Sequence, residues 1–411
     1  MIGGGPAGVM AAGRAAECGA KVVLLERGPR LGTKLRICGK GRGNITNTAE
    51  LREFIDAFSP NGKFLYGAFS RFFRDDLLGI LRQMGVETKV ERGGRVFPDS
   101  DKASDVADAL TRWMESCGAR MKLGTRARSI EVDDGRVVGV SVYGGTMDAD
   151  AVVIATGGAS YPKTGSTGDG YTMARELGHS IVQPRSALSA LVTQEKWVKN
   201  LQGLSLKNVE ATLFVETPGG RRKIASEFGE MLFTHFGVSG PIILTLSRGV
   251  GELLTQGRVS VSIDLKPALS EEQLHARLIR DFRQTRHFKN YLSDLLPRLL
   301  VETFIELCGI DPDKQVNSVT SAERSRIVEL LKGLETTVVR MAPLDEAIVT
   351  AGGVSIREID PRTMMSKIVP GLFLAGEVID IDARTGGFNL QAAFSTGYVA
   401  GEAAAEYVRE G

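Results

Sequence analysis

MIGGGPAGVM, residues 1–10, decides the fold. Gly3, Gly5 and Gly8 spell G-x-G-x-x-G, a turn that joins a buried strand to a helix and lets backbone approach a pyrophosphate. The next stretch, AGVMAAGRAAECGA (7–20), is rich in small residues and predicts a helix stopped at Gly19. Ala7, Ala11 and Ala12 would let that helix approach strand and ligand closely. KVVLLE (21–26) then reads as a short buried parallel strand. It ends on Glu26, about 20 residues past the loop, where a carboxylate accepts from adenosine ribose hydroxyls and repels a 2′-phosphate. Only Met1 and Ile2 precede the glycines, although a central strand of about five residues is expected there. The expectation is therefore a start site upstream of Met1, with these two residues supplying only the last pairings of the strand.

The 411 residues are long for one core and predict two or three domains. Hydrophobic content of 43% and charged content of 24% suit a globular protein. With 51 basic against 49 acidic residues, a net charge of +2 gives no electrostatic case for nucleic acid or an anionic membrane. Cys18, Cys38, Cys117 and Cys308 form no C-x-x-C or metal-ligand pattern, so no metal site is expected. Free thiols, the lack of an apolar run of roughly 18 residues and a glycine loop in place of a signal peptide predict a cytoplasmic enzyme.

Residues 77–91 and 105–119 each predict an amphipathic helix followed by a strand. Residues 127–158 predict three strands, with Asp134-Gly135 at a hairpin turn, and a return to the apolar strand AVVIATG. From about Leu191 the texture changes to period-two alternation, in 206–233 around Pro218-Gly219-Gly220 and in 258–265. Helical segments follow at 270–284, 290–309 and 321–334. Beyond Met341 the αβ texture resumes with GLFLAGE (371–377) and a long small-residue helix (389–410). The organisation expected is an α/β FAD-type Rossmann domain in two parts, 1–190 and 341–411. It is interrupted by a β-barrel-like insertion, 191–340, with a helical part at about 268–332.

Two further motifs favour FAD over NAD. VVIATGG (152–158) brings a strand into Thr-Gly-Gly, where backbone passes a ligand with no side chain between. GLFLAGEVIDIDARTGGFNLQAAFSTG (371–397) places Glu377 at a strand end and Gly386-Gly387 at a helix start. In flavoproteins of this kind such an acid holds the ribityl chain, and the helix dipole stabilises the anionic reduced ring.

With KLRICGKGRGNITN (34–47), ATGGASYPKTGSTGDGY (155–171), FTHFGVSGP (233–241) and TAGGV (350–354), these motifs resemble the YhiN/BaiN-like family of flavoproteins along the whole chain. The resemblance implies FAD, a glutathione-reductase-like FAD fold, and an inserted barrel-like domain with a helical cap. It also implies activities such as aminoacetone oxidation or reduction of unsaturated bile-acid intermediates, so it leaves the substrate open. It places Gly3, Gly5, Pro6, Ala7 and Gly8 at the pyrophosphate, and Glu26 with Arg27 at the adenosine end. Lys34, Gly41, Arg42 and Asn44 would lie in a loop wrapping the cofactor, and Ala127 would meet adenine through its backbone. Ala155, Thr156 and Gly157 would pass the nucleotide, while Gly376, Glu377, Asn389, Leu390 and Gln391 would meet ribityl and ring. The family often has S-G-x-G-R-C-N where this chain has Cys38 and Gly43, and Cys38 reads as a packed side chain rather than a nucleophile.

Flavin chemistry also needs a proton source or sink. His235, in FTHFGVSGP, is the candidate acid–base, a backbone-bonded structural histidine being equally compatible. Tyr161 would cover the flavin or donate to a substrate oxygen. Arg384 would pair with an anionic substrate or with surface carboxylates such as Asp380 and Asp382. His179, His275 and His287 are expected on helical or loop surfaces, without a role. No C-x-x-C accompanies the first motif, which excludes a dithiol relay, and no second G-x-G-x-x-G opens an NAD(P)H domain. NADH or NADPH would therefore dock transiently, or the substrate itself would reduce the flavin. The function expected is an FAD-dependent oxidoreductase of a small organic substrate. The alternatives are a flavin-dependent RNA-modifying or RNA-binding factor, for which Arg221–Lys223 and Arg286–Lys289 are the local hints, and a fumarate-reductase-like C=C reductase.

Overall fold

The computed structural model describes residues 1–411, which divide into two compact units, Met1–Ser186 with Leu344–Gly411, and Ala187–Pro343. In the first unit, Val23–Leu25 pairs in parallel with Arg120–Lys122, and Val152–Ile154 with Leu372–Leu374. Ile2 joins the two halves through parallel bridges to Leu25 and Ile154. Its N–H donates to the Val153 carbonyl (2.9 Å) and its carbonyl accepts from Ala155 (2.9 Å), while Gly3 donates to Leu25 (2.8 Å). Leu24, Leu25, Val152–Ile154 and Leu372–Leu374 are buried, as parallel strands covered on both faces must be, while Arg120 and Lys122 lie exposed.

The helix Pro6–Glu17 ends at Cys18, with Gly19 left-handed at φ +91°. It packs on the last helix, Phe388–Glu410, through missing side chains. A Cβ at Gly397 would lie 2.2 Å from the Ala7 carbonyl oxygen, and one at Gly401 2.3 Å from that of Ala11. A meander of Ala127–Asp133, Arg136–Val142 and Gly145–Asp148 turns at Asp134 (φ +45°) and Gly135 (φ +75°). Two positive φ values there match the twist of a tight hairpin. A small antiparallel sheet orders Thr46–Asn47, Arg95–Pro98 and Thr88–Glu91.

The second unit is a closed antiparallel barrel. Its strands run in the order Leu191–Thr193, Gly237–Ser239, Gly220–Phe233, Ser205–Thr217, Arg258–Asp264 and Leu334–Met341. Alternation places Val209, Ala211, Leu213 and Val215 inside, with Val259, Val261 and Ile263 from the neighbouring strand. Six helices complete its core: Pro241–Leu246, Val250–Gln256, Glu271–Asp281, Phe288–Leu295, Arg298–Cys308 and Ser321–Lys332. The apolar run 290–309 is broken at Pro297, because Leu296 before it is forced into extended backbone. No helix is long and apolar enough to cross a membrane.

Candidate cofactor site

The parallel sheet aims the first loop. Gly3 sits at φ +103°, and a Cβ there would lie 2.5 Å from the Ala155 carbonyl oxygen. At Gly8 it would lie 1.8 Å from the Gly3 carbonyl oxygen, whereas at Gly5 it would meet nothing within 4 Å. Packing therefore demands two of the three glycines, and the third opens onto free space. The helix begins with Pro6 and has no side-chain cap, so the Ala7 and Gly8 N–H groups have no intrahelical partner. Such an end, with its positive dipole, suits a pyrophosphate. Glu26 accepts from Gly4 N–H at Oε2 (2.7 Å) and from Gly28 N–H at Oε1 (2.6 Å). Each carboxylate oxygen keeps a lone pair for a hydroxyl donor.

Arg27 turns away from that carboxylate, donating to Thr167 Oγ1 (2.6 Å) and reaching Asp169 (3.4 Å). Asp169 also takes a two-pronged contact from Arg126 (2.8 and 2.9 Å). Burial works against its charge, but Arg126 and Thr167 hold its carboxyl below the ordinary value. Ala127, buried, starts the meander beside this cluster. Ala155 and Thr156 leave the end of Val152–Ile154, with Gly157 at φ +72°. The Thr156 Oγ1 is buried without a hydrogen-bond partner.

At the other end, Glu377 follows the strand Leu372–Leu374 and Gly376 (φ +76°). Its Oε2 accepts from Lys34 Nζ (2.7 Å), and its Oε1 accepts from Thr350 N–H (2.8 Å) and Ser160 Oγ (3.3 Å). Lys34 also donates to Ser160 Oγ (2.8 Å), and Thr350 Oγ1 accepts from Ala159 and Ser160 N–H. Lys34 and Glu377, expected to meet the cofactor separately, thus form one ion pair. Ser160 and Thr350 carry no signal of their own in the sequence; they lie inside glycine-rich motifs whose side chains drew no role.

The helix Phe388–Glu410 starts at Gly387 (φ +96°) without a side-chain cap, and its first closing bond is Gln391 N–H to the Gly387 carbonyl (3.1 Å). The N–H groups of Phe388, Asn389 and Leu390 have no helical partner. The Asn389 side chain is spent on Ala383, accepting from its N–H and donating to its carbonyl (both 2.9 Å). Gln391 is fully buried between Thr46 and Ser395. What this segment offers a ligand is backbone, not these side chains. Asn44 lies between the Thr46 carbonyl and the Gly387 N–H. Gly41 is left-handed and open around its Cα, while Arg42 is bound to Glu91 and Asp101.

Other expected groups are placed as follows. Tyr161 has left-handed backbone (φ +50°) ahead of the turn Pro162–Thr164, its carbonyl accepting from Thr164. His235 lies exposed in the barrel unit, between Gly220–Phe233 and Gly237–Ser239, with its ring edge-on to Phe236. Arg384 is exposed and lies over the Phe388 ring (5.1 Å). Asp380 is partly buried, and Asn61 donates to its carbonyl (2.8 Å) and its Oδ2 (3.1 Å). Burial raises its carboxyl, Asn61 pulls it down, and nearby Asp382 adds to the rise. Burial pushes the Cys38 thiol up to about 12, and its Sγ donates to the Asn44 carbonyl.

His179 corrects the surface expectation. It is 3% exposed, clamped between Glu358 Oε2 (3.2 Å) and Ser366 Oγ (2.9 Å), and burial lowers its pKa. The residue follows the helix Asp169–Glu176, whose polar neighbours suggest solvent, but Glu358 and Ser366 from the other end of the chain cover it. No cluster of three His, Cys, Asp or Glu side chains is placed to hold a metal.

Two uncapped helix starts, a carboxylate with spare lone pairs at each strand end and an orphaned Thr156 hydroxyl fit a long, polyhydroxylated dinucleotide such as FAD. The model of the HI0933-like protein Rossmann domain matches residues 1–403. The 3-dehydro-bile acid delta(4,6)-reductase of Clostridium scindens is 30% identical over 414 residues, covering 99% of this chain and 98% of that protein. The ribosomal RNA dihydrouridine synthase of Haemophilus influenzae is 29% identical over 403 residues, covering 97% and 96%. Among solved structures, the 3-ketosteroid delta1-dehydrogenase of Sterolibacterium denitrificans shares the fold (TM-score 0.54, 13% identity, 98% of both chains). So does the 3-ketosteroid-delta4-(5alpha)-dehydrogenase of Rhodococcus jostii (TM-score 0.52, 18% identity, 98% and 95%). The class defined is an FAD-dependent oxidoreductase with a Rossmann core and an inserted barrel. The chain belongs to the HI0933-like Rossmann family, in keeping with its resemblance to YhiN/BaiN-like flavoproteins.

Proposed function

We propose that the protein adds a hydride and a proton across a carbon–carbon double bond conjugated to a carbonyl. The observation that carries this reading is a shared chemistry. Relatives matched over nearly the whole chain act on a steroid-like acid and on a uridine, and both names describe saturation of such a bond. When bound, FAD supplies the hydride from its reduced form. The chain would hold its pyrophosphate at Ala7 and Gly8, its adenosine ribose at Glu26 and its ribityl chain at Glu377. The unpaired N–H groups of Phe388–Leu390 would stabilise negative charge on the reduced ring. Asp380 would give the proton to the substrate carbon next to the carbonyl, because its carboxyl is raised and Asn61 fixes one oxygen. Tyr161 and His235 are the competing donors. NADH or NADPH would serve as a transient reductant.

A small organic substrate is favoured over RNA because part of each short basic run is tied up. Arg221 pairs with Glu335 (2.8 Å) over the Phe214 ring, Arg286 with Asp294 (2.5 Å) and Lys289 with Asp313 (2.7 Å). The RNA reading keeps one support, the two ribosomal RNA dihydrouridine synthases at 29% identity. One experiment separates them. Anaerobically reduced protein is mixed with a dienone steroid or with unmodified ribosomal RNA, and flavin reoxidation is followed with the product mass. A gain of two hydrogens in the steroid supports the first reading, and dihydrouridine in the RNA the second. Inertness of both substrates ends the proposal.

A further inference from the structure

We infer that Arg42 is not a ligand of the cofactor but a positioning residue, latching the loop Cys38–Asn44 to the small sheet beside it. The loop is held in costly backbone: Gly39 (φ +58°), Lys40 (φ +59°), Gly41 (φ +82°) and Gly43 (φ +81°) are all left-handed. For a non-glycine residue such as Lys40 this costs roughly 1 kcal/mol, so something outside the loop must fix it. Arg42 supplies that link. Its Nε and Nη2 donate to Asp101 Oδ1 (3.1 and 2.6 Å), and its Nη1 donates to Glu91 Oε2 (3.2 Å). Nη2 also reaches Glu91 Oε1 (2.5 Å), and the guanidinium lies over the Phe97 ring (4.4 Å).

A phosphate-binding arginine presents a free fork and a net positive charge. Here the fork is filled by two carboxylates and one face by a ring. Lys89, on Asp101 Oδ2 (2.8 Å), and Arg95, 3.9 Å from Glu91 Oε2, share the same two carboxylates, so the Arg42 fork is held inside a wider ion-pair cluster. Asp101 is itself left-handed (φ +55°), so both ends of the latch rest on non-glycine residues in that conformation.

The anchoring sheet reaches the flavin end as well. Asn47, in its short strand, donates to the Gly386 carbonyl (2.9 Å) and to that of Gly93 (3.0 Å). A Cβ on Gly387 would lie 2.3 Å from the Thr46 carbonyl oxygen. One three-stranded sheet thus registers the wrapping loop, through Arg42, against the glycine turn that opens the last helix.

The inference rests on FAD being the cofactor, and is independent of which substrate is reduced. Its test is FAD affinity of the apoprotein, read by quenching of flavin fluorescence, with thermal melting of each apo variant beside it. Arg42→Ala and the pair Glu91→Gln with Asp101→Asn are each expected to weaken FAD binding about tenfold. The triple variant should be no worse than either, because all three remove one link. Arg42→Lys should recover part of the loss, and apo melting should barely move because the cluster is solvent-facing. If Arg42→Ala weakens FAD while the acid-pair variant does not, Arg42 touches the cofactor and the inference is wrong. It is equally wrong if neither variant changes affinity. Failure of the apoprotein to take up FAD at all would overturn the cofactor assignment instead.

Discussion

The helix starts at Pro6 and at Phe388 are built alike and neutralised differently. Each follows glycines, lacks a side-chain cap and stands near a glutamate at a strand end. Glu26 is held only by two backbone N–H groups, whereas Glu377 is held by a lysine, a serine and a backbone N–H. The first end is a bare acceptor suited to ribose hydroxyls. The second is a preformed ion pair whose charge is cancelled before any ligand arrives, which leaves the helix dipole as the field felt by the ring.

The harshest way to break this comparison is to fill the first turn. Gly8→Ala places a Cβ 1.8 Å from the Gly3 carbonyl oxygen, and should abolish FAD retention and cost about 3 kcal/mol of stability. Flavin absorbance after purification and chemical denaturation check it; normal yield of yellow protein would mean the two ends are not equivalent in backbone demand. Next comes the ion pair. Lys34→Met leaves a partly buried Glu377 short of its cation and should cost about 1–3 kcal/mol, with Glu377→Gln recovering part of that in the double variant. Glu26→Gln should leave apo stability nearly unchanged and weaken FAD about tenfold.

Smaller effects sharpen the picture through pH. His179 has a lowered pKa, so the unfolded chain binds its proton more readily than the folded one. Stability should therefore fall as pH drops below about 6.5, by about 1 kcal/mol, and His179→Gln should flatten that limb of the denaturation profile. Asp380 has the opposite consequence. Its raised carboxyl penalises the charged form in the fold, so Asp380→Asn should melt slightly higher at neutral pH, the gain vanishing below about pH 3.8. A lower melting temperature at neutral pH would show that the carboxylate is needed charged.

The glycine loop, the strand ending at Glu26, the Asp134-Gly135 hairpin and the alternating barrel strands were legible because each is a local pattern with a local cause. The partners were not. Nothing near Lys34 in sequence points to Glu377, 343 residues away, nor near Arg42 to Glu91 and Asp101. Asn389 and Gln391 sit in a motif suited to ligand contact, yet their side chains serve the fold and only the backbone is left for a ligand. His179 looked exposed because burial by a distant segment leaves no mark on the local sequence around it.

The crossing of Pro6–Glu17 with Phe388–Glu410 also governs when this protein can be born. Ala7 and Ala11 find their partners only when Gly397 and Gly401 arrive, 390 residues later in the chain. Until then the nucleotide loop lacks one wall, whereas every strand of the barrel, from Leu191–Thr193 to Leu334–Met341, is encoded in between. A chain cut before Gly397 is therefore expected to lack flavin, which the flavin absorbance of such a truncated protein checks.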